Sequence, residues 1–310
     1  MSEIRFDGKV VAITGAGGGL GAAYARLLAE RGASVVVNDL GTAMEGEGRS
    51  SEAADRMVAE IRQAGGTAVA DYGDITDPAA AAALVDGALS RYGRLDGVIN
   101  NAGIIIRGRF LETTPELLNR HLAVHLMGSL NVTQAAWPAL VDAKGAVLFT
   151  VSAGMLGSPH AVAYNTAKAA VLGLMRSVAC EGALSGVRVN AVMPGAETRM
   201  QGDAGSAASA ARALVQVNSP ANAAVAACYL LHDSCTANGD VFAIGRGLTA
   251  RIVLASTAGV AEREPTLESM AAGFDDVVAF TGLREERDLP GFRDRLIAVW
   301  NGESSGENQT

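Results

Sequence analysis

Short β-branched runs alternate with helix-length apolar periodicity along most of this chain, and that alternation restricts the possible folds more than any other feature. Residues 9–13 (KVVAI) form a strand-like run ending at Gly15. Residues 20–31 follow with helical spacing and stop at Gly32, the residue favoured just past a helix end. Further strands are predicted at 34–38, 67–70, 97–100, 146–151, 187–192 and 240–244, with helices at 51–63, 78–91, 116–140, 163–184 and 221–232. About seven strands with a helix between each pair predict an α/β fold, a doubly wound parallel sheet with helices on both faces.

The first strand runs into Thr14-Gly15-Ala16-Gly17-Gly18-Gly19-Leu20-Gly21 as the first helix begins. Glycines there let the backbone turn tightly and let a diphosphate approach the amides of a helix N-terminus, whose dipole favours anions. The G-x-G-x-x-G spacing fails in every register, whereas T-G-x-x-x-G-x-G fits with Gly15, Gly19 and Gly21. Gly15, Gly17, Gly19, Leu20 and Gly21 are therefore candidate cofactor residues in a Rossmann-type turn. Asp39 closes the second strand, where a carboxylate can accept both ribose hydroxyls of NAD and repel the extra phosphate of NADP. Its alternative role is to cap a turn.

On the helix predicted at 163–184, Tyr164 and Lys168 are four residues apart and share one face. A lysine cation beside a phenol favours the phenolate, so Tyr164 can take or return a hydroxyl proton. The chain has five tyrosines, and its lysines are Lys9, Lys144 and Lys168, so few chance matches to this spacing are available. A serine at the end of a preceding strand would hold the substrate oxygen, and Ser152, after the 146–151 strand, is the candidate.

Composition narrows the partners. A formal net charge of -8 gains nothing from counterion release on nucleic acid. Apolar runs are broken too often for a membrane span, and the first residues lack the apolar stretch of a signal peptide, so a soluble cytoplasmic protein is expected. Cys180, Cys228 and Cys235 form no CxxC pair; His232 three residues before Cys235 is not a ligand set, and no metal site is expected. One domain, residues 1–255, is expected to hold both dinucleotide and substrate, with 256–310 a C-terminal extension. Within it 266–274 and 291–300 are helical candidates, and the last residues (GESSGENQT) read as disordered. Residues 201–212 suggest a mobile loop or weak helix over a site.

The motifs TGAGGGLG (14–21), Asp74, NNAG (100–103), YNTAK (164–168) and PG (194–195) resemble the short-chain dehydrogenase/reductase family in content and order. The resemblance covers roughly residues 8–247 and implies an NAD-dependent oxidoreductase acting on a secondary alcohol or ketone, working as a homodimer or homotetramer. It also implies that Asp74 and Ile75 lie against the adenine, that Asn101, Ala102 and Gly103 line the cofactor, and that Pro194 and Gly195 flank the nicotinamide. VVVNDLG (35–41), VHLMGS (124–129), HDSCTANGD (232–240) and PTLESM (265–270) further resemble the (3R)-hydroxyacyl-CoA dehydrogenase domain of multifunctional β-oxidation enzymes and related bacterial dehydrogenases. A 3-hydroxyacyl-CoA is thus the leading substrate, with a hydroxysteroid or other secondary alcohol as alternative, and a non-catalytic NAD sensor as a reading of another class. Arg199, Arg246 and Arg251 are candidate contacts for CoA phosphates. Two positions depart from the family pattern. His125 stands where the family has the asparagine that orders a water near the lysine, and either replaces it or packs as a helix residue. The family's serine position, thirteen before the tyrosine, holds Val151, one residue short of Ser152.

Overall fold

A computed structural model describes residues 3–195, 219–245, 247–262 and 264–300 of the chain. It divides into two compact units, Met1–Arg251 and Ile252–Thr310.

In the larger unit the strands are β1 (Val10–Thr14), β2 (Ser34–Asn38), β3 (Thr67–Asp71), β4 (Gly97–Asn100), β5 (Ala146–Thr150), β6 (Arg188–Pro194), β7 (Val241–Gly245) and β8 (Leu248–Ile252). They form one sheet in the order β3-β2-β1-β4-β5-β6-β7-β8. The pairings from β3 to β7 are parallel, with Val11 opposite both Val35 and Gly97, and Leu148 opposite Asn190. The doubly wound architecture is as the alternation predicts, with an eighth strand beyond the expected seven. β8 escapes the sequence pattern because it is a partly exposed edge strand with a mixed sequence, LTARI.

Helices α1 (Gly19–Glu30), α2 (Glu52–Gln63) and α7 (Pro220–Tyr229) pack together on one face. On the other lie α3 (Pro78–Tyr92), α4 (Pro115–Leu122), α5 (Gly128–Ala143) and α6 (Val162–Ser185). Central strands β1, β4 and β5 are buried along their whole length, as continuous β-branched and apolar runs require when helices cover both faces. Ile13, Leu28, Val35, Val37, Met57 and Ile99 are each at most 2 % exposed, and burying such a side chain contributes about 1.5–3 kcal/mol. The helix expected over 116–140 is interrupted. Between α4 and α5 the chain makes a π-helical turn at Ala123–Met127, with His125 at its centre.

In the smaller unit, β9 (Ala255–Ser256) pairs antiparallel with β10 (Arg284–Glu285), and helices α8 (Leu267–Val278) and α9 (Leu289–Trp300) occupy the stretches where helices are expected. Thr266 and Ser269 cap the start of α8 reciprocally.

The strand order reverses between β1 and β4, so the chain leaves these two neighbours in opposite directions and opens a crevice at their carboxyl ends. Two cavities lie there, of about 380 Å³ and about 240 Å³, with Leu20, Asn101 and Gly103 lining both.

Candidate active site

The larger cavity is built on the glycine turn. Gly15, Gly18, Gly19 and Leu20 line it. The helix α1 starts with no side-chain hydrogen bond to its cap and no acidic residue in its first turn, leaving the positive end of its dipole for an anion. Gly17 and Gly21, read from sequence as cofactor residues, do not line the cavity; they are packed into the turn itself. A Cβ on Gly21 would stand 2.3 Å from Gly15 O, and one on Gly17 would stand 2.8 Å from Asp39 Oδ2. Gly18, in the motif but not among the residues read as cofactor contacts, lines the wall.

Asp39 is fixed by two backbone amides: Gly17 N donates to Oδ2 at 2.7 Å and Gly41 N to Oδ1 at 2.8 Å. Thr14 ties the neighbouring strand ends together. Its Oγ1 accepts from the amides of Asn101 and Ala102, both at 3.0 Å, while Asn101 Nδ2 donates to Thr14 O and Gly15 O. Asp74 and Ile75 also line this cavity. Asp74 Oδ1 accepts from both Thr76 donors, and Asn131 of α5 donates to Ile75 O and Thr76 O. Asn131 has no signature beyond polarity inside an apolar helix, which is why the sequence reading passes over it, and Thr14 opens the glycine motif without its spacing revealing this tie.

The smaller cavity gathers Ser152, Tyr164, Lys168 and Pro194, together with Thr150, Arg107 and Asn165. Val151 continues the strand ladder through its amide to Val192 O and is 1 % exposed, and it lines the cavity together with Ser152, which follows it. Ser152 caps the 3-10 turn Ala153–Leu156, accepting from Gly154 N at 3.1 Å. Lys168 lies under the tyrosine, its Nζ 5.9 Å from the Tyr164 ring centre and donating to Thr150 O at 2.6 Å. Burial lowers the Lys168 ammonium from 10.5 to about 7. Burial also raises the Tyr164 phenol above its ordinary value, against which the Ser152 hydrogen bond and the Arg107 charge pull it back. Pro194 closes β6, and Gly195 N donates to Ile244 O at 2.7 Å, anchoring that strand end.

His125 is buried behind Gly103 and lines neither cavity. Its Nε2 lies 2.8 Å from Ile104 O and 3.3 Å from Ile104 N, so the shorter contact assigns Nε2–H as donor to the carbonyl. Nδ1 is then an acceptor, buried and without a hydrogen bond among the described residues. Burial, with the nearby Lys168 charge, holds the ring well below its usual pKa and hence neutral. His121, unremarked in the sequence, stacks on His125 with centres 6.0 Å apart, and both rings meet Tyr164 edge-on. Ile106 N donates to His121 Nε2, and His121 Nδ1 donates to Leu117 O.

The sequence model of the short chain dehydrogenase family matches residues 9–209. The chain belongs to the short-chain dehydrogenase family. It is 41 % identical over 265 residues to mouse peroxisomal multifunctional enzyme type 2, covering 85 % of this chain and 35 % of that one. The structure of the full-length fruit-fly (Drosophila melanogaster) enzyme of the same name superposes with a TM-score of 0.80 at 31 % identity, covering 98 % of this chain and 51 % of that one. A short chain dehydrogenase from Mycobacterium avium gives 0.73 at 32 % identity, over 88 % and 95 %. This dehydrogenase thus spans only a third to a half of the multifunctional relatives, and the resemblance to their dehydrogenase domain is borne out. It is an oxidoreductase acting on CH–OH groups with NAD(H) or NADP(H).

The cavity residues fit such a cofactor: the uncapped first turn of α1 suits its diphosphate, and the carboxylate of Asp39 suits a ribose. Of the arginines considered for CoA, Arg251 is engaged with Asp240 at 3.3 Å. Arg199, Arg246 and the 201–212 segment lie outside the described residues, as does the terminal GESSGENQT stretch. Among the described residues no cluster of His, Cys, Asp and Glu could hold a metal, and no helix is long and apolar enough to cross a membrane.

Proposed function

We propose that this dehydrogenase oxidises the hydroxyl of a 3-hydroxyacyl-CoA to the ketone with NAD, through Ser152, Tyr164 and Lys168. The observation that carries the reading is the meeting of these three side chains in one cavity that shares a wall with the cavity holding Asp39. Ser152 Oγ donates a hydrogen bond to the substrate oxygen, and the Tyr164 phenolate takes its proton. Lys168, held by Thr150 O, supplies N–H donors beside the reacting oxygens. A nicotinamide held beside Pro194 and these side chains would supply the acceptor for the hydride of the same carbon. His125 contributes a neutral acceptor, Nδ1, behind Gly103, suited to ordering a water on the lysine side. Asp39 selects NAD by accepting from the ribose hydroxyls and repelling a phosphate there. Residues 1–255 carry this chemistry, in a homodimer or homotetramer.

The test is reduced-cofactor formation by the purified protein with NAD or NADP across (3R)- and (3S)-3-hydroxyacyl-CoA, hydroxysteroids and simple secondary alcohols. Preference for NAD and for one (3R)-hydroxyacyl-CoA supports the reading. Activity confined to hydroxysteroids or other alcohols keeps the mechanism and discards the acyl-CoA. Tyr164→Phe is expected to abolish turnover while NADH binding, followed by its fluorescence, persists; full activity in that variant refutes the mechanism. NADH binding without turnover of any alcohol would make the chain a cofactor sensor.

A further inference from the structure

The larger cavity carries a cation that the dinucleotide reading leaves without a task. Arg120 on α4 is half-buried at the cavity wall and makes no hydrogen bond or ion pair among the described residues. Its charge is felt locally, since it helps hold His121 below its usual pKa, after the larger effect of burial. A partly desolvated guanidinium with no partner is costly unless something else meets it.

What surrounds it is ordered. After Asp39 the chain folds into a compact loop in which Ala43 N donates to Glu47 O, Gly46 N to Ala43 O and Ser50 N to Leu40 O. Met44 O accepts from Ile105 N at 3.1 Å, pinning the loop to the segment that follows β4. At the loop tip Gly46 has a φ of +84°, and a Cβ there would stand 2.9 Å from Ile104 Cγ2 and 3.4 Å from Arg120 Nη2. Thr42, Ala43, Met44 and Gly46 line the cavity beside the arginine, so loop and guanidinium form one surface.

The position along the wall identifies the ligand group. Ala123 and Val124 line the cavity within a turn of Arg120, and one turn further Gly128 packs closely on Ile75. Arg120 lies against the loop that follows Asp39, on the ribose side of the cavity, and not at the glycine turn that suits a diphosphate. With Asp39 and Asp74 on the same wall, a further anion is disfavoured, whereas a neutral purine offers a π face and acceptor nitrogens to a planar guanidinium. We infer that Arg120 and the 42–46 loop form a clamp on the adenosine end of the cofactor, with the guanidinium set against the purine. This rests on the dinucleotide reading above.

The experiment is calorimetric binding to the full chain of ADP-ribose, NADH and reduced nicotinamide mononucleotide, which lacks the adenosine. Arg120→Met is expected to weaken ADP-ribose and NADH alike by about tenfold, the order of a partly desolvated cation–π contact, and to leave the mononucleotide unchanged. Arg120→Lys, which keeps stem and charge and loses the plane, is expected to lie between the two and serves if the Met variant fails to fold. Unchanged ADP-ribose affinity in a folded variant overturns the clamp, as does equal weakening of the mononucleotide, which would signal general distortion. Failure of the wild-type chain to bind ADP-ribose overturns the dinucleotide reading itself.

Discussion

Gly103 separates the two cavities from His125, and its replacement by alanine tests whether that histidine is held where the structure puts it. A Cβ at Gly103 would stand 2.4 Å from His125 Cε1 and 2.9 Å from Nδ1. Carbon contacts are comfortable near 3.5–4.0 Å, so the ring would have to withdraw by about 1 Å. It has little freedom to do so: it is 1 % exposed, hydrogen-bonded to Ile104 O, stacked on His121 and set edge-on to Tyr164. Overpacking of this kind costs about 1–3 kcal/mol, and stretching the Ile104 bond adds on the order of 1 kcal/mol. Gly103 does not have a positive φ, so the backbone itself accepts alanine and the clash is the whole effect. His125→Ala alone leaves the Ile104 carbonyl without its ring donor and opens a cavity, and costs a comparable amount, about 2–4 kcal/mol. The double variant removes the clash along with the ring. Its loss, measured by urea unfolding of the three variants and wild type, is therefore expected to be smaller than the sum of the single losses by at least about 1 kcal/mol. Losses that add to within about 0.5 kcal/mol would refute the packing argument, as would a Gly103→Ala protein as stable as wild type.

Three other outcomes follow from the same geometry. Asp39→Ala releases the amides of Gly17 and Gly41 and removes the ribose acceptor; kcat/KM for NAD is expected to fall about 10- to 100-fold, with NADP losing far less, in parallel initial-rate assays. Alcohol oxidation needs the Tyr164 phenolate, so its rate is expected to rise with pH up to the phenol's raised pKa; Arg107→Gln removes a charge that lowers that pKa and should carry the rising limb to higher pH, and a shift to lower pH would contradict this. Lys168 titrates at about 7 in the folded chain against 10.5 ordinarily, so between those values the unfolded chain binds the extra proton and stability contributed by this group rises with pH; Lys168→Met should flatten that rise in urea titrations run across the window.

The alternation of strands and helices was legible because each parallel strand is buried on both faces and must be apolar throughout, as β1, β4 and β5 are. The π-helical turn at Ala123–Met127 was not, because its residues keep helical periodicity and only the hydrogen-bond register changes. Tyr164 and Lys168 were recognisable by their spacing on one helix. Arg107, Arg120 and His121 reach the site from the segment after β4, which has no motif of its own, and only the folded arrangement of β4 and α4 brings them there. The glycine turn was located correctly, but the separate duties of its residues depend on distances within the turn that no spacing rule expresses.

The structure also changes the account of how Tyr164 is activated. From sequence, the lysine cation was expected to lower the phenol. In the folded chain Lys168 is itself driven towards neutrality by burial, and the groups that pull Tyr164 back from its raised value are Ser152 and Arg107. Burial disfavours the Tyr164 phenolate and the Lys168 ammonium alike. The Ser152 hydrogen bond acts at short range and shapes the position of the reacting oxygen, whereas the Arg107 charge acts over distance without needing contact. Lys168 keeps its N–H groups whether charged or not, so its bond to Thr150 O survives the change and fixes the amine in place. The serine one residue out of the family register is thus well placed for this work: Val151 completes the strand, and the turn that follows delivers Ser152 to the phenol.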